Sequence, residues 1–339
     1  MVFVINPIYV AIPYDHPINY QYMITLPDFH DIIHLHRYLS DVPFEVTPST
    51  LYNAGSLYGF DRKSSLNPDW EHTYDKRTYN HYISQGKLPQ DAKEVLARSL
   101  HDYCITMALD TYLKPYDKQQ VVGVMGGHNL KRTEPMYRQI VDLSKQLTEQ
   151  GRLMVTGGGP GAMQATHVGA WMAGRTAAEV DEAMRILQQA PDFQSDEWLS
   201  TGFEVMRRFP QEQGYRSLGI PTWFYGHEPA SPFATDIAKY FDNSIREDKV
   251  LTIPFGGIIF TPGSAGTVQE VFQDAVQNHY LTYGFSSPMI FLGVEFWTKD
   301  LPVYSLLKDM MEAGRYKNLL LTLTDDSNEV MKVLQADHN

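Results

Sequence analysis

After about residue 119 the chain alternates regularly between short apolar runs and longer stretches with helical spacing. This alternation is the feature that most restricts what the chain can fold into. Runs such as 121–125 and 289–292 are continuously apolar. Such runs are typical of parallel strands that are buried on both faces of a sheet. The sequence therefore predicts an α/β fold, with a Rossmann-like, doubly wound parallel sheet and helices on both faces.

The alternation assigns most segments to a strand or a helix. The predicted strands are 121–125, 153–156, 217–224, 257–261, 289–292 and 319–323. The predicted helices are 134–150, 162–173, 233–247, one that ends near 279, 303–313 and 327–335. A charged stretch at about 175–215 interrupts this series and contains a predicted helix at 177–189. We expect this insertion to lie outside the sheet.

Residues 1–118 differ in texture and are rich in tyrosine, histidine, aspartate and proline. They contain one strong predicted helix at 90–113, two short predicted strands at 2–5 and 8–12, and loops within 52–82. These elements predict an α+β extension that packs on the rest of the chain or covers it as a lid. Its aromatic residues are typical of a core, although they also suit a wall on which a base stacks.

The length of 339 residues fits roughly two domains. We predict an N-terminal extension at 1–118 and a Rossmann-like nucleotide-binding catalytic domain at 119–339. The insertion at about 175–215 belongs to the second domain.

The composition argues against several classes of partner. The formal net charge is −12, whereas a protein that neutralises many phosphates along a nucleic acid needs a basic surface. The same charge disfavours an anionic membrane. The apolar start, 1–13, is too short and too interrupted by proline for a membrane span or a signal peptide. Cys104 is the only cysteine, so no intramolecular disulfide is possible, which favours a reducing, cytoplasmic location.

Three glycine-rich turns follow predicted strands and precede predicted helices, at 126–127, 157–161 and 263–267. Ligands of open parallel sheets bind beyond the carboxyl ends of the strands. Glycine lets a ligand approach the backbone closely, and the free amide groups of the following helix favour an anion. The three turns together predict a site for a phosphorylated small molecule.

Two common cofactor motifs fit poorly. Residues 157–162 match the dinucleotide pattern G-x-G-x-x-A, but they follow the second strand of the unit, and the acidic residue expected after the next strand is missing. No Walker sequence follows any of the glycine turns. The histidines, including His279, show no metal-ligand spacing. The sequence therefore predicts no cofactor and no metal.

Two charged residues lie near the third turn. Glu270 comes one helical turn after Thr267, so its carboxylate can face the ligand, although a capping box with Thr267 is the simpler explanation. Arg246 is predicted near the end of the helix 233–247, where a cation commonly stabilises a helix C-terminus. Asp274 can be a second acid, but a solvated helix face is the better explanation. The other weaker candidates are His128, Asn129, His227, Glu228 and Pro229.

Two segments resemble motifs of a known family. G-G-G-P-G-A-M at 157–163 resembles G-G-G-x-x-G/A-M of the LONELY GUY phosphoribohydrolases, which are often labelled "possible lysine decarboxylase". P-G-S-A-G-T-V-Q-E at 262–270 resembles their P-G-G-x-G-T-x-x-E. Arg246 lies at about the spacing of the family's catalytic arginine. The resemblance spans roughly 119–325 and also includes the larger bacterial nucleoside 5′-monophosphate nucleosidases, which carry an added N-terminal domain.

The chain departs from the family pattern at Ser264, which replaces a glycine, and at Gln269, which replaces the first residue of a Glu-Glu pair. The resemblance implies hydrolysis of the N-glycosidic bond of a nucleoside 5′-monophosphate to free base and ribose 5-phosphate. It also implies a homodimer or higher homo-oligomer, with Arg246 and Glu270 as catalytic residues. The implied substrate- and phosphate-binding residues are Gly126, Gly127, Gly158, Gly159, Gly161, Met163, Pro262, Gly263, Ser264, Ala265, Gly266 and Thr267.

Glycosidic cleavage passes through an oxocarbenium-like sugar. A carboxylate such as Glu270 can stabilise that charge, hold the ribose hydroxyls or activate water. Arg246 can clamp the phosphate or assist the leaving base. The alternative is a sensor module that binds a nucleotide on the same fold without hydrolysing it. The presence of both residues favours the enzyme.

Overall fold

A computed structural model describes residues 37–336 of the chain. Its strands are β1 (Val121–Met125), β2 (Leu153–Thr156), β3 (Ser217–Gly219), β4 (Asp236–Ile237), β5 (Ile258–Phe260), β6 (Pro288–Leu292) and β7 (Leu320–Thr324). They form one sheet in the order β4-β3-β2-β1-β5-β6-β7, and every neighbouring pair is parallel. The predicted Rossmann-like, doubly wound parallel sheet is confirmed. The strands predicted at 2–5 and 8–12 lie outside the described residues.

The helices precede the first strand, connect the strands and follow the last strand. They are α1 (Ala54–Tyr58), α2 (Tyr74–Gln85), α3 (Ala92–Leu113), α4 (Pro135–Glu149), α5 (Ala162–Trp171), α6 (Ala177–Leu187), α7 (Trp198–Arg208), α8 (Asn243–Thr252), α9 (Ala265–Tyr280), α10 (Val303–Glu312) and α11 (Ser327–Gln335). From β1 the chain winds outward to β4, and from β5 it winds outward to β7. Because parallel crossovers are right-handed, the helices of these two halves cover opposite faces of the sheet.

The direction of winding reverses between β1 and β5, which are neighbours at the centre of the sheet. Both strands are buried along their whole length. Beyond the carboxyl ends of such a central pair, the connecting loops leave in opposite directions and open a crevice. The fold therefore places the turns that follow β1 and β5 side by side.

The helix predicted at 233–247 is wrong. Residues Asp236–Ile237 instead form the edge strand β4, which pairs with β3 and makes an isolated antiparallel bridge to Tyr52 on its other side. The helix of this segment, α8, begins only at Asn243, where the Asp242 side chain caps it. Pairing with β3 and Tyr52 outweighs the local helical spacing of the apolar residues, since tertiary contacts routinely override propensity.

The strand predicted at 217–224 is shorter than expected. Continuous pairing covers only Ser217–Gly219. Thr222 then makes an isolated parallel bridge to Tyr240, and a 3₁₀ turn, Trp223–Tyr225, follows. Pro221 lies between β3 and this turn and has no amide hydrogen to donate to a neighbouring strand. This early end of β3 brings the 3₁₀ turn towards the crevice.

The described part of the N-terminal region is mainly helical and packs directly on the sheet unit. Leu57, Ile105 and Leu109 are fully buried in the same apolar cluster as the central strands. The Tyr58 hydroxyl donates a 2.6 Å hydrogen bond to the Ala230 carbonyl across the junction. The predicted helix at 90–113 is α3, and the segment 52–82 contains α1 and α2 as well as loops.

The 175–215 insertion forms α6, close to its predicted bounds, and α7, which the sequence did not indicate. The buried guanidinium of Arg132 holds the insertion in place by donating hydrogen bonds to the carbonyls of Leu187, Ala190 and Trp198. The division into domains 1–118 and 119–339 stays a prediction. Within residues 37–336, no helix has both the length and the apolar character needed to cross a membrane.

Candidate functional site

A cleft of about 240 Å³ lies where the turns after β1 and β5 meet. Its walls come from both halves of the sheet unit and from the turn Trp223–Tyr225. The lining residues are Met125, Gly126, Gly127, His128, Met163, Tyr225, Glu228, Arg246, Glu247, Ser264, Gly266, Thr267, Gln269 and Glu270. The predicted contacts Gly158, Gly159, Gly161, Pro262, Gly263 and Ala265 are not part of this lining.

The turn that follows β5 opens directly into the cleft. Ser264 is the N-cap residue of α9, and no side chain in the described part of the protein caps this helix. Ser264, Ala265 and Gly266 are exposed, while Thr267 is buried beneath them. The first amide groups of a helix have no intrahelical acceptor, so those of α9 are free to hold an anion.

The turn after β1 is bonded to the turn after β5. The Gly127 amide donates to the Pro262 carbonyl at 3.0 Å. A side chain at Gly126 would collide with Thr261, and one at Gly127 would lie 3.1 Å from the Pro262 oxygen. Glycine is therefore required here for the close approach of the two turns, and both glycines line the cleft.

The middle glycine turn, 157–161, has a different environment. All five of its residues are buried. The Gly158 amide donates to Thr156 Oγ1 at 2.8 Å, and the Gly159 amide contacts the Met163 sulfur at 3.3 Å. Its glycines are thus packing residues behind the cleft, and Met163 is the predicted contact from this motif that reaches the lining.

Arg246 lies in the first turn of α8, because that helix begins at Asn243 rather than at 233. The expectation that Arg246 stabilises a helix C-terminus is therefore wrong, since a cation in a first turn opposes the helix dipole. Its Nε donates to the Ile220 carbonyl at 2.9 Å, and its Nη1 donates to Glu247 Oε2 at 2.6 Å. These bonds aim the guanidinium at the cleft.

Gly157 makes room for this guanidinium. A Cβ atom at that position would collide with Arg246 Nη2 and lie 3.0 Å from the Met163 sulfur. Arg246 itself is only 9% exposed. The first glycine of the middle turn therefore serves the site indirectly, by admitting the arginine side chain.

Glu270 lies on the face of α9 that points into the cleft and is 8% exposed. A capping box with Thr267 is wrong, because Ser264 is the N-cap and Thr267 already lies inside the helix. Burial raises the pKa of Glu270 to about 8, with Arg246 lowering it and Glu247 raising it. At neutral pH the free protein therefore keeps a proton on this carboxyl, beside a permanent cation.

Asp274 follows one turn later and is 2% exposed, so the expected solvated face is wrong. Burial raises the pKa of its carboxyl to about 8, and a side-chain hydrogen bond from Gln277 lowers it. Among residues 37–336, no group bonds to its Oδ2 atom. Asp274 lies behind the cleft rather than in its lining.

Four lining residues were missed from the sequence: Met125, Glu247, Tyr225 and Gln269. Glu247 could have been found as the neighbour of Arg246, and Gln269 occupies a motif position that was read only as a departure. No sequence pattern indicated that Tyr225 lines the cleft, because its position depends on where β3 ends.

The weaker candidates His128 and Glu228 both line the mouth of the cleft, with His128 Nε2 3.8 Å from Glu228 Oε1. His227 Nε2 lies 3.6 Å from the same oxygen. Asn129 is exposed and outside the lining. In the described part of the chain, no group of three or more histidine, cysteine, aspartate or glutamate residues is arranged to hold a metal ion.

Comparison with known proteins finds similar solved structures but no matching family. No family model matches the chain, and no curated protein matches it. An X-ray structure of TM1055 is 18% identical, with a TM-score of 0.41, over 63% of this chain and 98% of its own. The molybdenum cofactor binding protein from the phototrophic bacterium Rippkaea orientalis is 14% identical, with a TM-score of 0.40, over 63% and 94%. The molybdenum cofactor carrier protein from Chlamydomonas reinhardtii is 16% identical, with a TM-score of 0.34, over 64% and 98%.

Proposed function

We propose that this protein hydrolyses the N-glycosidic bond of a nucleoside 5′-monophosphate, as the resemblance to the LONELY GUY phosphoribohydrolases implies. One observation carries the proposal. A buried guanidinium from one helix meets a buried carboxyl and the uncapped N-terminus of a second helix in a single cleft. Arg246, Glu270 and the turn 263–267 supply these three parts.

The 5′-phosphate is assigned to the N-terminus of α9. The backbone amides of the exposed residues Ala265 and Gly266 and the hydroxyl of Thr267 are donors that suit phosphate oxygens. The serine at 264, where the resembling family has glycine, is compatible with this phosphate site. The donors there are backbone amides, which do not depend on the side chain at 264. The middle turn is assigned no direct contact with phosphate, since it is buried.

The chemistry assigned to Glu270 follows from its protonation. Breaking the C1′–N bond leaves an electron pair on the base, which a protonated Glu270 can neutralise by donating its proton. Water then adds its oxygen to C1′ and returns a proton to the carboxylate. The products are the free base and ribose 5-phosphate, and the acid is restored. Positioned acids and bases of this kind contribute about 10²–10⁴-fold.

Glu247 and Arg246 complete the proposed electrostatics. The oxocarbenium-like sugar is positive, and Glu247, 8% exposed, is a carboxylate that can lie near it. Arg246 remains bonded to Glu247, so its cation can serve the phosphate or the departing base without being free to move. A rigid arrangement of this kind is suited to transition-state charge.

The fold by itself selects neither hydrolysis nor binding. The rival function is a nucleotide sensor that uses the same cradle without turnover. The test is incubation with adenosine, guanosine, cytidine and uridine 5′-monophosphates and with the matching nucleosides, followed by chromatography of released base. We expect base from monophosphates about 10³-fold faster than from nucleosides, because two or three charge-assisted bonds are lost without the phosphate.

Equal turnover of a nucleoside and its monophosphate would contradict the phosphate assignment. Tight binding of monophosphates with no released base would favour the sensor. The homodimer or higher homo-oligomer that the resemblance implies stays a prediction, and light scattering of the purified protein checks it.

A further inference from the structure

The start of α8, the helix that carries Arg246, is held by a carboxylate from the N-terminal region. Asp102 lies on α3, and its oxygens accept hydrogen bonds from the backbone amides of Phe241 (2.9 Å) and Asp242 (2.8 Å). A carboxylate that accepts backbone amides makes charge-assisted bonds, which are stronger than neutral ones. This contact reaches across 139 or more positions of the sequence to the residues directly before α8.

Asp102 is itself held in place by a buried chain of side chains. His101 Nδ1 lies 2.8 Å from Asp102 Oδ1, and His101 Nε2 lies 2.9 Å from the Tyr52 hydroxyl. Burial raises the pKa of the Tyr52 hydroxyl well above its usual value, so it stays protonated, and it lies within hydrogen-bond distance of both His101 Nε2 and the Tyr74 hydroxyl. A carboxylate oxygen only accepts hydrogen bonds, so the contact with Asp102 selects the tautomer with its proton on Nδ1, in which Nε2 accepts from Tyr52. The Nδ1–H then donates to Asp102. His101 and Asp102 are at most 1% exposed, so solvent does not compete for these bonds.

The position of this anchor determines the position of Arg246. Asp242 is the N-cap of α8, and the Arg246 amide donates to the Asp242 carbonyl at 3.3 Å in the first turn. The backbone at 241–242 is thus one helical turn from the guanidinium. A shift of the anchor would therefore move Arg246, whose Nη2 atom lies close to Gly157. Phe241 is further fixed by stacking on Trp223 at 4.5 Å between ring centroids.

We propose that Asp102 is a positioning residue: the N-terminal region, through this carboxylate, sets the first turn of α8 and so places Arg246 in the cleft. The expected effect of Asp102 on turnover rests on the proposed function, whereas its structural role at α8 does not. Asp102 does not line the cleft and touches no reacting atom. Its influence passes through the backbone amides at 241 and 242.

The first measurement is independent of activity. Hydrogen exchange followed by mass spectrometry compares the wild-type protein with Asp102→Asn, which keeps the side-chain volume but turns an amide donor towards backbone donors. We expect faster exchange in the peptide that covers 241–247. The matched control is Tyr58→Phe, which removes a buried 2.6 Å bond between the same two regions without touching the amides of 241 and 242. Unchanged protection of 241–247 in Asp102→Asn would overturn the proposal.

The second measurement is a double-mutant cycle with adenosine 5′-monophosphate as the probe. Asp102→Asn alone should lower kcat/KM about 10²-fold, the scale of a small misplacement of a catalytic group. Combined with Arg246→Ala it should add little, because both changes act through one guanidinium. Tyr58→Phe should instead leave kcat/KM near wild type. A full, additive loss on top of Arg246→Ala would show a role that does not pass through the arginine.

The outcomes separate the two proposals. If wild-type protein releases no base from any monophosphate, the proposed function fails while the exchange result still decides whether Asp102 holds α8. Should Asp102→Asn fail to fold, Tyr52→Phe weakens the same chain at its outer end by removing the donor to His101. That variant should show the same selective increase of exchange at 241–247, and its absence would count against the inference.

Discussion

Two glycine-rich turns of similar composition, 157–161 and 263–267, have opposite surroundings in this protein. The first is buried at every position, and its amides bond to Thr156 and Met163. The second exposes Ser264 and the next two residues at the start of α9. Glycine at the end of a strand marks a close approach in both cases. Protein atoms make that approach at the first turn, whereas the second leaves space for a ligand.

The largest expected effect lies at the open turn. Glu270→Gln keeps the size of the side chain but removes its acidity, so turnover should fall about 10²-fold or more. Binding of adenosine 5′-monophosphate, measured by calorimetry, should persist, because the lost interaction belongs mainly to the transition state. Glu329→Gln, at an exposed carboxylate, is the control.

Arg246→Ala refines this result. A loss of both binding and turnover would place the guanidinium at the phosphate, and a loss of turnover alone would place it at the departing base. Wild-type turnover in Glu270→Gln would remove the catalytic assignment and favour the nucleotide sensor.

The next effect concerns stability and compares the turns directly. Gly161 has φ +64°, and a Cβ there would collide with the Gly127 and His128 carbonyls. Gly161→Ala should therefore cost about 2–4 kcal/mol from overpacking and left-handed strain. At Gly266, an added Cβ would meet nothing within 4 Å in the described part of the protein, so Gly266→Ala should be neutral or stabilise by up to about 1 kcal/mol.

Urea denaturation of both glycine variants measures this difference as a shift of the midpoint at constant slope. Equal losses at the two positions would show that the turns are not as different as their surroundings indicate. The Gly266 methyl group would enter the cleft, so Gly266→Ala should lower activity although its stability is unchanged or higher.

The smallest expected effect is on the pH dependence of the free energy of unfolding, through the buried acid Asp274 behind the turn 263–267. The pKa of Asp274 is raised to about 8 by burial, so between its unfolded value and 8 the native state binds more protons than the unfolded state. Stability should then fall as pH rises from about 5 to 8. Asp274→Asn should flatten this decline and gain at least about 1 kcal/mol on wild type at pH 9, measured by urea denaturation at each pH. A parallel decline in wild type and variant would exclude Asp274 as the cause.

Much of the sheet unit could be predicted because its strands are continuously apolar and end in glycine. The strands at 121–125 and 153–156 and the helix at 327–335 agree with the observed bounds. The helix at 233–247 failed for a physical reason. Its apolar residues serve an edge strand that forms only when β3 and Tyr52 are present, and local spacing carries no information about such partners.

The site was predictable only in part for the same reason. Glu270 and the turn 263–267 follow one another in the sequence, so their common environment could be anticipated. The burial of 157–161 depends on distant segments, as Pro221 packing against Gly158 shows. Tyr225 enters the cleft only because β3 ends early. Contacts that are remote in sequence thus explain why Tyr225 was missed and the turn 157–161 misplaced, whereas Glu247 and Gln269 were missed although they adjoin predicted site residues.

The bridge between Tyr52 and Ile237 has a consequence for the integrity of the sheet. The amide and carbonyl of Ile237 both bond to Tyr52, at 2.8 and 2.9 Å. An uncovered edge strand is a template on which other chains add strands and aggregate. The N-terminal region closes that edge on the β4 side. A fragment cut down to 119–336 would expose the unpaired edge of β4. We therefore expect the fragment to aggregate through that edge.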